Sequence, residues 1–142
     1  ILPGAAIFLL DRLFKVLFHD GKWPVLPGFI GLKSAKNTGM ALGMLSGNAL
    51  PLLIFSIIIV VICILILRKY RITGLARIAL SMMAGGALGN ALDRLVYGYV
   101  IDMIELQFID FYIFNLADVG VVCGAILCGI SLLFRPQDWS NK

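Results

Sequence analysis

Four long apolar stretches divide the chain, at about residues 1–18, 50–67, 75–92 and 116–134. A helix needs about 20 mostly apolar residues to cross the hydrocarbon core of a bilayer. Each stretch therefore predicts a transmembrane helix. The first is short for a crossing, as expected of a span whose start lies upstream of Ile1. The second is almost unbroken Ile, Leu and Val, with Ser56 and Cys63 as mild exceptions, and predicts a purely structural span. The third carries Ala84, Gly85, Gly86, Ala87, Gly89 and Ala91. Small residues let helix backbones approach closely in lipid, and Gly85 and Gly89, four apart, form a packing motif of that kind.

The intervals break the pattern in different ways. From His19 to Asn48 the chain is punctuated by Gly21, Pro24, Pro27, Gly28 and Gly31, and later by Asn37, Gly39 and Gly43. Gly and Pro at this density end helices. Short apolar pieces lie between them, so the interval predicts a small strand-like element outside the bilayer, with a solvated loop as the alternative. Residues Tyr97 to Phe114 are too polar and too interrupted to cross. Their aromatic content suits a segment resting at the headgroup level. The expected fold is an all-α membrane protein of four transmembrane helices, with a small extracytoplasmic β-like element and an interfacial loop. Residues 1–142 would form one integral membrane domain.

Composition removes several classes of function. The chain is 61% hydrophobic and 14% charged, against about 45–50% and about 25% in soluble domains. The net charge is +4, but the basic residues lie between and after the spans, not along one face. That distribution suits membrane topology and lipid contact, and no nucleic-acid partner is expected. The densest basic cluster is Arg68, Lys69 and Arg71, with Arg77 close behind. By the positive-inside rule that turn is cytoplasmic, although Lys22, Lys33 and Lys36 in the outer interval run against it. Cys63, Cys123 and Cys128 all sit in apolar runs and behave as small hydrophobes. With one histidine, His19, and no Cys/His cluster, no metal site is expected.

The candidate chemistry lies between Gly85 and Asp118. Asn90, Asp93, Arg94, Asp102, Asn115 and Asp118 all fall at or beside the ends of two apolar spans. Ionisable groups near the membrane are costly and mark candidate functional sites. Asp118 has a structural explanation, because Asn115 is a plausible N-cap and Asp118 would then stand in the first helical turn. Asp102 interrupts the apolar run Tyr99 to Ile104, and the alternative for it is the wet face of an amphipathic segment. Taken together, two carboxylates brought close hold a single proton and supply one general base and one general acid. In the first span, Asp11 and Lys15 are four apart and share a helix face. They either snorkel to the interface or line a polar cavity beside the site. Two other functions use the same residues: a transporter or channel subunit relaying ions through Asp11, Lys15, Asp93 and Arg94, and a scaffold packing through Gly85 and Gly89.

Four blocks, in order, resemble the lipoprotein signal peptidases of bacteria: DRLFK (Asp11 to Lys15), KNTGMALGMLSGN (Lys36 to Asn48), GGALGNALDRLVYGYVIDMIEL (Gly85 to Leu106) and FNLAD (Phe114 to Asp118). The resemblance implies an aspartic endopeptidase that cuts a diacylglyceryl-modified prolipoprotein just before the lipidated cysteine. It implies that Asp102 and Asp118 are catalytic. Asn37, Asn90, Asp93, Arg94, Asn115 and Ala117, with Asp11 and Lys15, would shape the site and hold substrate. It further implies no metal or organic cofactor. The expected protein is a monomer in the bacterial inner membrane, in contact with membrane lipids, and the basic turn at Arg68 to Arg77 with Arg135 puts its site on the extracytoplasmic side. Met40, Leu42 and Met103 depart from the family's pattern by apolar exchange, and Met103 to Phe114 matches it poorly.

Overall fold

The structure, a computed structural model, describes residues 1–18, 21–39, 47–109 and 113–141. His19, Met40, Leu42, Gly43 and the rest of the expected strand element past Gly39 lie outside these residues. Among the described residues four α-helices form: α1 (Leu2–Leu17), α2 (Ala49–Lys69), α3 (Gly74–Tyr97) and α4 (Leu116–Phe134). Each overlaps one of the expected spans. Three of them, α2, α3 and α4, are long and apolar enough to cross a membrane. Their outward side chains are apolar, such as Ile58, Val61, Ile62 and Leu65 on α2 and Val122, Ile126 and Leu133 on α4. A surface of that kind belongs in lipid. α1 is shorter, at 16 residues, and buries Asp11 and Lys15.

The strands are β1 (Lys22–Leu26), β2 (Ile30–Asn37), β3 (Tyr70–Ile72), β4 (Val100–Leu106) and β5 (Trp139–Asn141). β1, β2 and β4 make a three-stranded antiparallel sheet in that order. β1 and then β2 follow the C-terminal end of α1, and β4 follows the C-terminal end of α3. This sheet therefore sits where α2 and α4 begin. β3 and β5 pair at the opposite end.

One expectation needs correction. The stretch Tyr97 to Phe114 is not simply an interfacial loop. Tyr97 closes α3, Gly98 caps it in the left-handed conformation at φ 76°, and Val100 to Leu106 becomes β4. The chain reverses at Gly98 because a residue without Cβ takes that conformation without steric penalty. Asp102 then enters the sheet buried, at 1% exposure, and is not on a wet face.

α3 packs against the other three helices, and its small residues are the reason. A Cβ placed on Gly85 would collide with the Gly4 carbonyl oxygen of α1, and one on Gly86 with the Ala117 carbonyl oxygen of α4. The apolar core, around Cys63, Ile72, Ala76 and Leu80, occupies the β3–β5 end of the bundle. There the Asp138 carboxylate caps α3, accepting from the backbone N–H groups of Leu75 at 2.8 Å and Ala76 at 3.3 Å. The half nearer the three-stranded sheet is filled instead with hydrogen-bonded polar groups. Replacing Gly85 by Val should therefore lower stability by about 1–3 kcal/mol through overpacking. Gly129→Ala should be close to neutral, since a Cβ at Gly129 meets nothing within 4 Å. Thermal unfolding of both variants in detergent checks the contrast.

Candidate active site

Asp102 stands opposite Ala35 in the β2–β4 register, and Asn37 stands opposite Val100. Asn37 and Asp102 are thus diagonal neighbours across the two strands, within reach on one face. Asn37 Nδ2 donates to Asp102 Oδ2 at 2.7 Å. The other oxygen, Oδ1, accepts from Asn115 Nδ2, also at 2.7 Å.

Asp118 reaches the same cluster from the first turn of α4. Asn115 is the N-cap, and its Oδ1 accepts from the Asp118 backbone N–H at 2.8 Å. Asp118 Oδ2 accepts in return from the Asn115 N–H at 3.3 Å. This is the reciprocal capping box that the sequence FNLAD suggests. Asp118 Oδ1 accepts from Asn90 Nδ2 of α3 at 2.7 Å. Asn115 Nδ2 also donates to Asn90 Oδ1 at 3.1 Å. The capping role and the site role of Asn115 are therefore the same arrangement. One side chain caps α4 and ties Asp102 to Asp118 and Asn90.

Every carboxylate oxygen of the two aspartates accepts one of these hydrogen bonds, which leaves each with further acceptor capacity. The Asp102 carboxyl is pushed up to about 7, first by burial and next by the negative charge of Asp118. The hydrogen bonds from Asn37 and Asn115 and the Lys15 charge act in the opposite direction. Such a pair takes up a proton near neutral pH, which is a requirement of acid–base work by two carboxyls.

A second cluster lies directly behind. Lys15 Nζ stands 2.8 Å from Asp11 Oδ2 and 2.7 Å from Asp93 Oδ2. The Asp11–Lys15 pairing expected from their spacing is present, and both side chains face inward to a polar cluster. Asp11 Oδ1 accepts from the Ala117 backbone N–H at 3.1 Å, and Asp93 Oδ2 from the Ile101 N–H, also at 3.1 Å. Arg94 donates to the Gly39 carbonyl at 3.3 Å and to Ser56 Oγ at 3.4 Å. The candidates Asn37, Asn90, Asp93, Arg94, Asp102, Asn115, Ala117, Asp118, Asp11 and Lys15 are thus brought to one end of the bundle, beside the three-stranded sheet. Among the described residues, no group of three or more His, Cys, Asp or Glu is arranged to hold a metal ion.

The family model described as Signal peptidase (SPase) II matches residues 4–134. The chain belongs to the signal peptidase II family. It is 37% identical to a lipoprotein signal peptidase of Clostridium acetobutylicum, over 100% of this chain and 98% of that one. It is 44% identical to a lipoprotein signal peptidase of Latilactobacillus sakei, over 96% of this chain and 95% of that one. Among solved structures it superposes on a bacterial membrane enzyme with a TM-score of 0.86 and 32% identity, covering 93% of this chain and 85% of the other. A signal peptidase II is a peptidase, and with three membrane-length helices this one is a membrane protein. Nothing in these similarities supports a transporter.

Two residues outside the candidates read from the sequence also join these polar groups. Arg12 joins the cluster behind the aspartates, where its NH1 lies 2.5 Å from Asp93 Oδ1 and its NH2 2.6 Å from Asp11 Oδ2. Ser56 makes α2 more than a structural span. Its hydroxyl donates to the Leu52 carbonyl at 3.0 Å and accepts from Arg94. The signal for Ser56 was its polarity in an otherwise aliphatic run. For Arg12, helical spacing pointed past it to Lys15.

Proposed function

We propose that this chain is a membrane aspartic endopeptidase that removes the signal peptide from diacylglyceryl-modified prolipoproteins, cutting just before the lipidated cysteine. Asp102 and Asp118 are its catalytic pair. The observation that carries this reading is the Asn115 side chain. It accepts from the Asp118 backbone and donates to the Asp102 carboxylate, so the two acids share one hydrogen-bonded cluster.

The chemistry follows from one proton held by two carboxyls. The ionised member takes a proton from a water molecule, whose oxygen attacks the scissile peptide carbonyl. The protonated member donates a hydrogen bond to the carbonyl oxygen as negative charge develops there. Collapse of the tetrahedral intermediate breaks the C–N bond, and a carboxyl delivers a proton to the departing amine. The apparent pKa values belong to the pair, so the base is not assigned to one residue.

The remaining roles follow from position. Asn37, Asn90 and Asn115 orient the two carboxylates. Arg94, held between Ser56 and the Gly39 carbonyl, meets the substrate backbone. The acyl chains of the substrate lie against the apolar helix faces, so the enzyme takes its substrate from the membrane lipid around it. α1 completes a fourth crossing within one integral domain. The site faces the extracytoplasmic side of the bacterial inner membrane, a reading supported by Arg68, Lys69, Arg77 and Arg135 at the opposite end, since basic residues favour the cytoplasm.

Cleavage of a diacylglyceryl-modified prolipoprotein by the purified chain in detergent, followed across pH, tests the proposal. The folded carboxyl of Asp102 lies above its ordinary value, at about 7, so the neutral form persists to neutral pH and is lost as pH rises further. The rate should fall as pH climbs through about 7–8, because the pair then loses its shared proton. Product ending anywhere but before the lipidated cysteine, or a rate unchanged from pH 6 to 9, would sink the assignment.

A further inference from the structure

We infer that Arg12 is a positioning residue for the cleavage reaction, bridging Asp11 and Asp93 so that the peptides carrying Asp102 and Asp118 are held in register with one another. This inference rests on the Asp102–Asp118 pairing proposed above.

Asp11 and Asp93 each do two things. Asp93 Oδ2 accepts from the backbone N–H of Ile101, the residue before Asp102. Asp11 Oδ1 accepts from the N–H of Ala117, the residue before Asp118. The position of each candidate catalytic acid is therefore set by a carboxylate that holds the backbone N–H one residue upstream of it. Those two carboxylates are in turn joined by cations. Arg12 NH1 takes Asp93 Oδ1 and Arg12 NH2 takes Asp11 Oδ2, while a third hydrogen bond runs to the Gly89 carbonyl at 3.2 Å. The guanidinium fork fixes the spacing of two acceptors in a way that a single ammonium cannot. Lys15 touches the same two carboxylates, but as a point charge.

Charge adds a second effect. Asp11 and Asp93 are fully buried and Lys15 nearly so, while Arg12 is 23% exposed at one edge. Two cations on two carboxylates make the cluster neutral. Without Arg12 one cation would serve two carboxylates, and a surplus negative charge would stand behind the catalytic pair. The groups facing that pair are Asp11 and Lys15 from α1, Asn37 from β2, Asn90, Asp93 and Arg94 from α3, and Asn115 at the start of α4. Arg94 remains bound to Gly39 and Ser56 and does not take the place of Arg12.

The test is the kinetics of Arg12→Gln and Arg12→Lys beside Asp102→Asn, in the full chain in detergent, on a diacylglyceryl-modified prolipoprotein. Arg12→Gln should lower kcat about 10- to 100-fold with KM within about twofold, as a small misplacement of reacting groups does. The added negative charge makes the pair hold its proton more tightly, so the alkaline limb of its profile should move up by about half to one pH unit. Arg12→Lys keeps the charge and loses the fork. Its profile should stay in place while kcat falls about three- to tenfold. Folded Arg12→Gln with the parental kcat and profile overturns the inference. Should Arg12→Gln not fold, Arg12→Lys decides alone, and a parental kcat there overturns it as well. If Asp102→Asn itself retains the parental rate, the pairing fails and Arg12 with it. If Asp102→Asn is inactive and Arg12→Gln is normal, only the role of Arg12 fails.

Discussion

Asp102→Asn and Asp118→Asn should each lower the rate of cleavage by about 100- to 10,000-fold, with the helices still assembled. Asparagine matches aspartate in shape, so neither substitution opens a cavity. What each removes is the exchangeable proton. In the proposed mechanism one member accepts a proton from water and the other supplies one to the substrate, and an amide does neither. A local cost accompanies the change at 102. Both oxygens of Asp102 accept from amide donors, Asn37 Nδ2 and Asn115 Nδ2. An asparagine there presents its own NH2 to one of them, so an amide must turn over or a hydrogen bond is lost, at about 1–3 kcal/mol. Activity should therefore be measured together with thermal unfolding in detergent. A folded variant of either position that cuts at near the parental rate shows that the base lies elsewhere.

The parts of this site that were legible in the sequence are the local ones. Asn115 and Asp118 are three apart at the head of an apolar run, and a capping box is a short-range device. Asp11 and Lys15 are four apart on a helix, and their pairing is equally local. The small residues of the third span announced close helix contact, because in lipid little else drives it. The remainder depends on long-range register. Asn37 meets Asp102 only because β2 pairs with β4 through a shift between Leu32 and Ala35. Asp102 and Met103 are both buried, at 1% each, since β4 is covered on both faces. Strict alternation is absent from such a strand, which is why the segment resembled an interfacial loop. Arg12 was missed for a similar reason. Its partner Asp93 is 81 residues away, and adjacency to Asp11 does not by itself place two side chains on one helix face. The resemblance to a family supplied what spacing did not, by bringing the four blocks together before any contact was visible.

The largest loss of stability is expected from Asp93→Ala. Asp93 is fully buried, and its two oxygens serve Arg12, Lys15 and the Ile101 N–H. Truncation leaves two cations facing one carboxylate in a water-poor interior and orphans a backbone donor. Removing one partner from a buried charge cluster costs about 3–5 kcal/mol, more than the overpacking expected at Gly85. Asp93→Asn should cost less, since the amide oxygen still accepts from Ile101 and the volume is kept. The origin of the loss is open to a direct check. If it arises from uncompensated charge, Arg12→Gln should be destabilising alone yet should partly restore Asp93→Ala, because the double variant returns the cluster to one cation and one carboxylate. Neighbours that share partners couple in this way, by about 0.5–3 kcal/mol. Unfolding midpoints in detergent for the parent, the two single variants and the double variant measure the coupling. Strictly additive midpoints would mean that Asp93 stabilises the fold through packing and the Ile101 hydrogen bond, and that Arg12 carries no free energy of interaction with it.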